Sequence, residues 1–195
     1  MNKLIALLWL VGIYGFQASA EIQVINNNSF EEVKNNVPVN WAINEYFKKN
    51  NKLGTIQILS ESAQDGQNCL LIKNDTTQVF HLIGALVAAT PGDVLRMSAY
   101  VKGKGTFRLS IYMYNSENAW LDGLYPQSIK IESSGWEKKD FEIIIPDKEF
   151  KDKGKVAEIR PVIVVDSDSE IYLDNFSGQI EKAAIGASTG ETSKK

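Results

Sequence analysis

Leu95-Arg96-Met97-Ser98-Ala99-Tyr100-Val101-Lys102, followed by Phe107-Arg108-Leu109-Ser110-Ile111-Tyr112-Met113-Tyr114, decides the fold class. Residues 95, 97, 99 and 101 are apolar, 96, 98, 100 and 102 are polar or amphipathic, and the second stretch repeats the alternation. A period of two sends successive side chains to opposite faces of a strand, one toward a core and one toward water. Gly103-Lys104-Gly105 between the two stretches reads as a short hairpin connection.

The same period extends outward along the chain. Further strands are expected at 22–26, 55–61, 69–74, 78–88, 128–132, 137–145, 156–165 and 170–180. Pro91-Gly92-Asp93, Ser133-Ser134-Gly135 and Asp166-Ser167-Asp168 read as turns between them. Asn44 to Asn51 has room for one helical turn, no long helix is indicated, and no internal repeat is visible. Many short strands with regular turn signals imply an all-β, antiparallel β-sandwich of the jelly-roll kind.

The ends of the chain have a different character. Met1-Asn2-Lys3, the apolar run Leu4 to Phe16 and Ala18-Ser19-Ala20 have the pattern of a signal peptide, too short to span a bilayer. Residues 1–20 are therefore expected to be removed, with one domain over 21–182 and a disordered tail over 183–195 rich in Gly, Ser, Thr and Lys. The expected location is secreted or periplasmic, without membrane insertion. A formal charge of −3 leaves no electrostatic footprint for nucleic acid. The only cysteine, Cys69, opens the apolar run Cys69-Leu70-Leu71-Ile72 and reads as a small packed hydrophobe, a reactive thiol being the alternative.

Asn28-Ser29-Phe30-Glu31 stands near the start of the expected domain and Tyr172-Leu173-Asp174-Asn175 near its end. An antiparallel sandwich can set its first and last strands side by side, bringing Glu31 and Asp174 together. Two carboxylates so placed ask for a cation; the plainer reading makes them surface charges or turn formers.

An ordered set of short motifs links these segments. It comprises Asn-x-Ser-Phe-Glu at 27–31, Pro38 followed by Trp41, Asp65-Gly66 before 69–73, Pro91-Gly92-Asp93 before 95–102, Gly135-Trp136 before 141–146, and Ile171-Tyr172-Leu173-Asp174. In this the chain resembles the CenC-type carbohydrate-binding modules, jelly rolls with a galactose-binding-domain-like fold that bind cellulose, xylan or β-glucan. The resemblance spans about residues 22–180. It implies a structural calcium held by the side chains of Glu31 and Asp174, with carbonyls from Ser29 and around Asn68. It also implies core positions for Trp41 and Trp136. Such folds serve adhesion and structural roles as well, so fold alone does not assign function.

The polar face of the alternating strands suits a sugar. Sugar rings present C–H patches to aromatic rings, and their hydroxyls need donors and acceptors. Arg96 and Tyr100, with Arg108, Tyr112 and Tyr114, would supply both from one hairpin face, and Trp120 from the loop 115–125 would join them. The alternative is that tyrosines merely populate the strand and Trp120 tucks over a sandwich edge. Outward Tyr112 and Trp120 are expected to serve binding without supporting the fold, whereas Met113 should lie in the core.

Catalytic signatures are sparse. There is no His-Glu-x-x-His, Gly-x-Ser-x-Gly or phosphate-binding loop, and the single histidine, His81, reads as a strand residue or ligand hydrogen-bonder. The acids fall mostly in turns or beside lysines, as in Glu137-Lys138-Lys139-Asp140. The expectation is a non-enzymatic module that binds a polysaccharide or oligosaccharide, braced by calcium and acting beside separately encoded glycoside hydrolases. The rivals are an adhesion module with a protein partner and, less favoured, a small jelly-roll glycoside hydrolase.

Overall fold

The computed structural model describes residues 21–44 and 54–183. The expected leader over 1–20, the expected tail beyond Ala183 and all of the expected helical turn except Asn44 lie outside them.

In chain order the strands are β1 (Glu21–Gln23), β2 (Val33–Lys34), β3 (Val37–Pro38), β4 (Ala42–Ile43), β5 (Thr55–Leu59), β6 (Cys69–Asn74) and β7 (Phe80–Ile83). They continue with β8 (Val87–Ala88), β9 (Val94–Tyr114), β10 (Trp120–Leu124), β11 (Ile129–Ile144), β12 (Glu158–Val165) and β13 (Ser169–Glu181). All pairings are antiparallel; apart from the small β2–β3 ribbon, one curled sheet runs in the order β4-β7-β12-β9-β13-β6-β5. The fold is an all-β jelly roll, as the alternation implies.

Its spine is β9, which does not turn back. Residues 94–104 pair with β13 and residues 107–114 pair with β12, so one strand serves two layers in succession. The hairpin expected at Gly103-Lys104-Gly105 is thus corrected to a crossing. Both glycines have positive φ, +120° and +132°, and a Cβ would stand 2.1 Å from Glu170 O at Gly103 and 2.3 Å from Ser169 Oγ at Gly105. They admit the start of β13 against the spine where it passes between layers.

Three local expectations change with it. Ser133-Ser134-Gly135 is not a turn between two strands; it lies in a register shift inside the continuous β11, between Ser133 and Glu137. The expected strand 78–88 divides into β7 and β8. Trp120 belongs to a strand rather than a loop, because β10 pairs with the last residues of β9.

The alternation survives the crossing because 101 and 107 have the same parity. Leu95, Met97, Ala99, Val101, Phe107, Leu109, Ile111 and Met113 all enter one hydrophobic core with Phe30, Phe80, Phe141 and Phe176. Trp41 is buried there between Phe30 and Phe176, with ring centroids 6.1 and 5.4 Å away. Trp136 is not in the core: it is half-buried on the outer side, with Lys102 Nζ 4.4 Å from its ring centroid. Cys69 is buried and unpaired by disulfide, as expected of a packed thiol. Its thiol is pushed up from the ordinary value by burial and by the Asp174 charge.

The ends of the domain do meet. Glu21, Ile22 and Gln23 pair with Glu181, Ile180 and Gln179, and Phe176 N donates to Asn28 O at 2.7 Å.

Candidate functional site

Glu31 and Asp174 converge on the same short loop, but through N–H donors. Glu31 Oε1 accepts from Gln67 N at 2.8 Å and Asn68 N at 2.9 Å, and its Oε2 accepts from Asn68 Nδ2 at 3.1 Å. Asp174 Oδ2 accepts from Gln64 N and Asp65 N at 2.6 and 3.0 Å, while Oδ1 takes Asn175 N at 2.7 Å. Burial pushes the Asp174 carboxyl up from its ordinary value and these donors oppose the push. Ser29 Oγ donates to Asp65 Oδ2 at 3.4 Å. No group of three or more His, Cys, Asp or Glu side chains among the described residues is placed to hold a metal ion. The expected calcium on Ser29, Glu31, Asn68 and Asp174 is therefore overturned: the carboxylates that were to hold it brace the 64–68 loop by accepting backbone hydrogen bonds.

The five residues expected on one hairpin face, with Trp120 expected to join them from a loop, are divided by the crossing. Arg96 and Tyr100 lie on the outer side of the first half of β9, opposite Gln179 and Asp174 of β13. Exposed Arg96 is ion-paired with Glu181 and, at 3.2 Å, with Glu142. Asp174, on the same side as Tyr100, is buried because Gln64 and Asp65 lie over it.

Arg108, Tyr112, Tyr114 and Trp120 remain together on the outer side of the second layer, where register assembles four rows. His81, Val164 and Arg108 form one; Ile83, Val162 and Ser110 the next; Arg160, Tyr112 and Gly123 the third; Glu158, Tyr114 and Trp120 the fourth. Outward side chains would ordinarily be wet, yet Val162, Val164 and Ser110 are wholly buried and Tyr112 is only 8% exposed. Tyr112 packs with these two valines and crosses β12 to reach β7, where its Oη lies 2.5 Å from His81 Nδ1. Asn44 Nδ2 donates to the same Oη at 3.0 Å. The imidazole tautomer sets which of the two, phenol or Nδ1, donates in this bond. Burial, and after it the Arg108 charge, lower the His81 pKa to about 4, so the ring is neutral near pH 7. Burial, then the Tyr125 neighbour, hold the Tyr112 phenol well above its ordinary value.

Exposed Tyr125 completes this cluster, 6.0 Å from His81 and 6.5 Å from Tyr112 between ring centroids. Gly123 makes room for it: a Cβ there would lie 2.6 Å from the Tyr125 ring. Arg108 Cζ is 5.6 Å from the Tyr125 ring and Arg160 Cζ is 5.8 Å from the Tyr114 ring. Trp120, 50% exposed, flanks Tyr114, with Lys153 Nζ donating to its carbonyl at 3.0 Å and standing 5.5 Å from its ring. Arg108 Nε, Arg160 Nε and Ser110 Oγ are buried without a hydrogen-bond partner among the described residues. Chemically the face offers exposed rings for stacking and two partly exposed guanidiniums as donors for an oxygen-rich ligand.

Sequence reasoning missed Tyr125 and Arg160. Arg160 carried a signal, being the one charge within the apolar run Ile159 to Val165. Tyr125 carried none, since its position depends on how β10 pairs. A depression of about 820 Å³ near Gly103 is lined by Lys73, Lys104, Glu132 and Glu170 without an aromatic ring, and offers no stacking surface.

No protein-family model matches the chain, and no curated protein does. Solved structures share its fold. The CBM22-1 xylan-binding domain of Xyn10C from Paenibacillus barcinonensis is 15% identical, with a TM-score of 0.56, over 80% of this chain and 94% of that one. A cyclase from Fischerella sp. TAU is 12% identical, with a TM-score of 0.58, over 85% of this chain and 100% of that one. The enzymatically active domain of tailspike protein 4 of bacteriophage CBA120 is 12% identical, with a TM-score of 0.57, over 82% of this chain. This chain spans only 21% of that tailspike structure. At these identities the likeness shows the fold, that of CBM22-like jelly rolls, and it is shared by a binding domain and by enzymes.

Proposed function

We propose that this protein is an exported, non-catalytic carbohydrate-binding module whose ligand lies on the outer side of the β7–β12–β9–β10 layer. The carrying observation is the combination on one face of Tyr114, Trp120 and Tyr125 with the partly exposed guanidiniums of Arg108 and Arg160. The rings stack on sugar C–H faces and the guanidinium Nη donors meet hydroxyls. The shared fold of the Paenibacillus xylan-binding domain supports the reading, as does the motif order resembling CenC-type modules. The leader-like first twenty residues support export.

Non-catalytic action accords with the spacing of the two acids at the ends of β12: Glu158 and Asp166, the residue after the strand, stand eight residues apart, about 26 Å at strand rise, against the roughly 5–9.5 Å that glycoside hydrolysis needs. Buried Tyr112 counts toward the protein-partner reading, whereas exposed Trp120 and Tyr125 on the same face favour a glycan.

Depletion by insoluble polysaccharides and titration with soluble oligosaccharides test the proposal, with reducing-end release measured in parallel. Binding weakened about tenfold or more by Tyr125→Ala and Trp120→Ala is expected, without release of reducing ends. No binding across the panel, or hydrolysis abolished by one carboxylate change, would overturn it.

A further inference from the structure

Two guanidiniums stand on the candidate face, and their charge is poorly balanced. Arg160 has no carboxylate within 4 Å among the described residues, and its buried Nε has no hydrogen-bond partner. Arg108 meets Asp166 only at 3.5 Å, from one Nη, and its Nε is likewise unpartnered. Each lies beside an outward tyrosine, Arg160 by Tyr114 and Arg108 by Tyr125. The two are offset by four residues of register, about 13 Å along the strands. Between them lie Tyr112 and His81, and the imidazole adds no charge near pH 7. Glu158 is the one acid of the four rows, opposite Tyr114 and two residues before Arg160, and it forms no ion pair with Arg160.

Arg160 is partly exposed although its Nε is covered, and the two Nη donors of a guanidinium form a fork that a carboxylate fills with two parallel charge-assisted hydrogen bonds where a hydroxyl fills one arm. Sequence context adds weight. Arg160 is the one charge within the run Ile159 to Val165, where Leu or Val would pack at less cost in desolvation.

We infer that the face selects acidic glycans, with the carboxylate of a uronic acid residue on the Arg160 fork and its ring against Tyr114. This rests on the glycan-binding reading above. Glu158 disfavours an anion at the Trp120 row, which directs the carboxylate inward toward Arg160 and leaves Arg108 for a second acidic or hydroxylated residue.

The test is calorimetric titration of the full chain with tetragalacturonate and with a glucuronic-acid-decorated xylo-oligosaccharide, beside xylotetraose, cellotetraose and galactotetraose. The uronates should bind at least tenfold more tightly, and that margin should shrink several-fold between 50 and 500 mM salt. Arg160→Gln should remove the margin, while Arg160→Lys keeps part of it. Thermal melts of both variants verify folding. Neutral oligosaccharides binding as tightly as uronates, without salt dependence, would overturn the acidic preference and leave the glycan-binding reading standing. No binding by any oligosaccharide would remove both.

Discussion

Tyr112 Oη and His81 Nδ1 are joined at 2.5 Å across β12, over Val162 and Val164, so that a tyrosine on the outer side of the sheet is as buried as a core residue. Its hydroxyl also receives Asn44 Nδ2, tying β9 to β7 and to the residue that follows β4. The face is therefore built on a hydrogen-bonded floor, with Tyr125, Tyr114 and Trp120 as its reachable rings.

Tyr112 should thus be a stability residue, contrary to the role that alternation alone implies for it. Tyr112→Phe keeps the ring over the valines but removes the shared hydroxyl from a buried imidazole, for an expected loss of about 1–3 kcal/mol. Tyr112→Ala should cost roughly 3–5 kcal/mol by opening a cavity as well. Urea denaturation of both variants measures this; parent-like midpoints would mean that the network carries no weight.

Acid should loosen the domain through His81. Its folded pKa of about 4 lies below the ordinary 6.5, so between these values the unfolded chain binds the proton more readily. Stability from the neutral ring is complete above about pH 6.5, falls as pH drops toward 4, and amounts to about 3 kcal/mol at most. Melting temperatures across pH 4 to 7 should drop for the parent more steeply than for His81→Gln. Parallel curves for the two proteins would assign the acid response to other groups.

Met113 and Trp120 should separate folding from binding. Met113 is 1% exposed in the core, and Met113→Ala should cost roughly 2–5 kcal/mol of stability. Trp120→Ala, at a half-exposed edge, should change stability by no more than about 0.5 kcal/mol while weakening glycan binding by about 1–3 kcal/mol. Chemical denaturation beside titration distinguishes the two effects, and a Trp120 variant that unfolds like Met113→Ala would place its ring in the scaffold.

The crossing of β9 makes a glycine prediction that a hairpin would not. Gly103→Ala sets a Cβ against Glu170 O in a positive-φ backbone and should destabilise by at least about 2 kcal/mol. Gly135 meets nothing within 4 Å, so Gly135→Ala should fold like the parent. Equal melting curves for the two would argue against the close approach of β13.

The sequence by itself determined the alternation, and with it the all-β class and most strand positions. The choice of Leu95, Met97, Ala99 and Val101 for the core follows from it as well, because which face a side chain takes depends only on parity along its own strand. Tertiary structure alone decided what each residue faces across the sheet. Gly103 and Gly105 carry the turn chemistry of a hairpin, yet they form a crossing because β13 presses against them, a contact between residues some 65 positions apart. That one difference separates Arg96 and Tyr100 from Arg108, Tyr112 and Tyr114, and it brings Arg160 and His81, from distant strands, to the latter group. Glu31 and Asp174 were legible as neighbours of the joined ends, whereas the backbone donors that satisfy them belong to the 64–68 loop, whose path no local pattern encodes. Parity is a property of one strand, but register is settled by the free energy of the whole sheet.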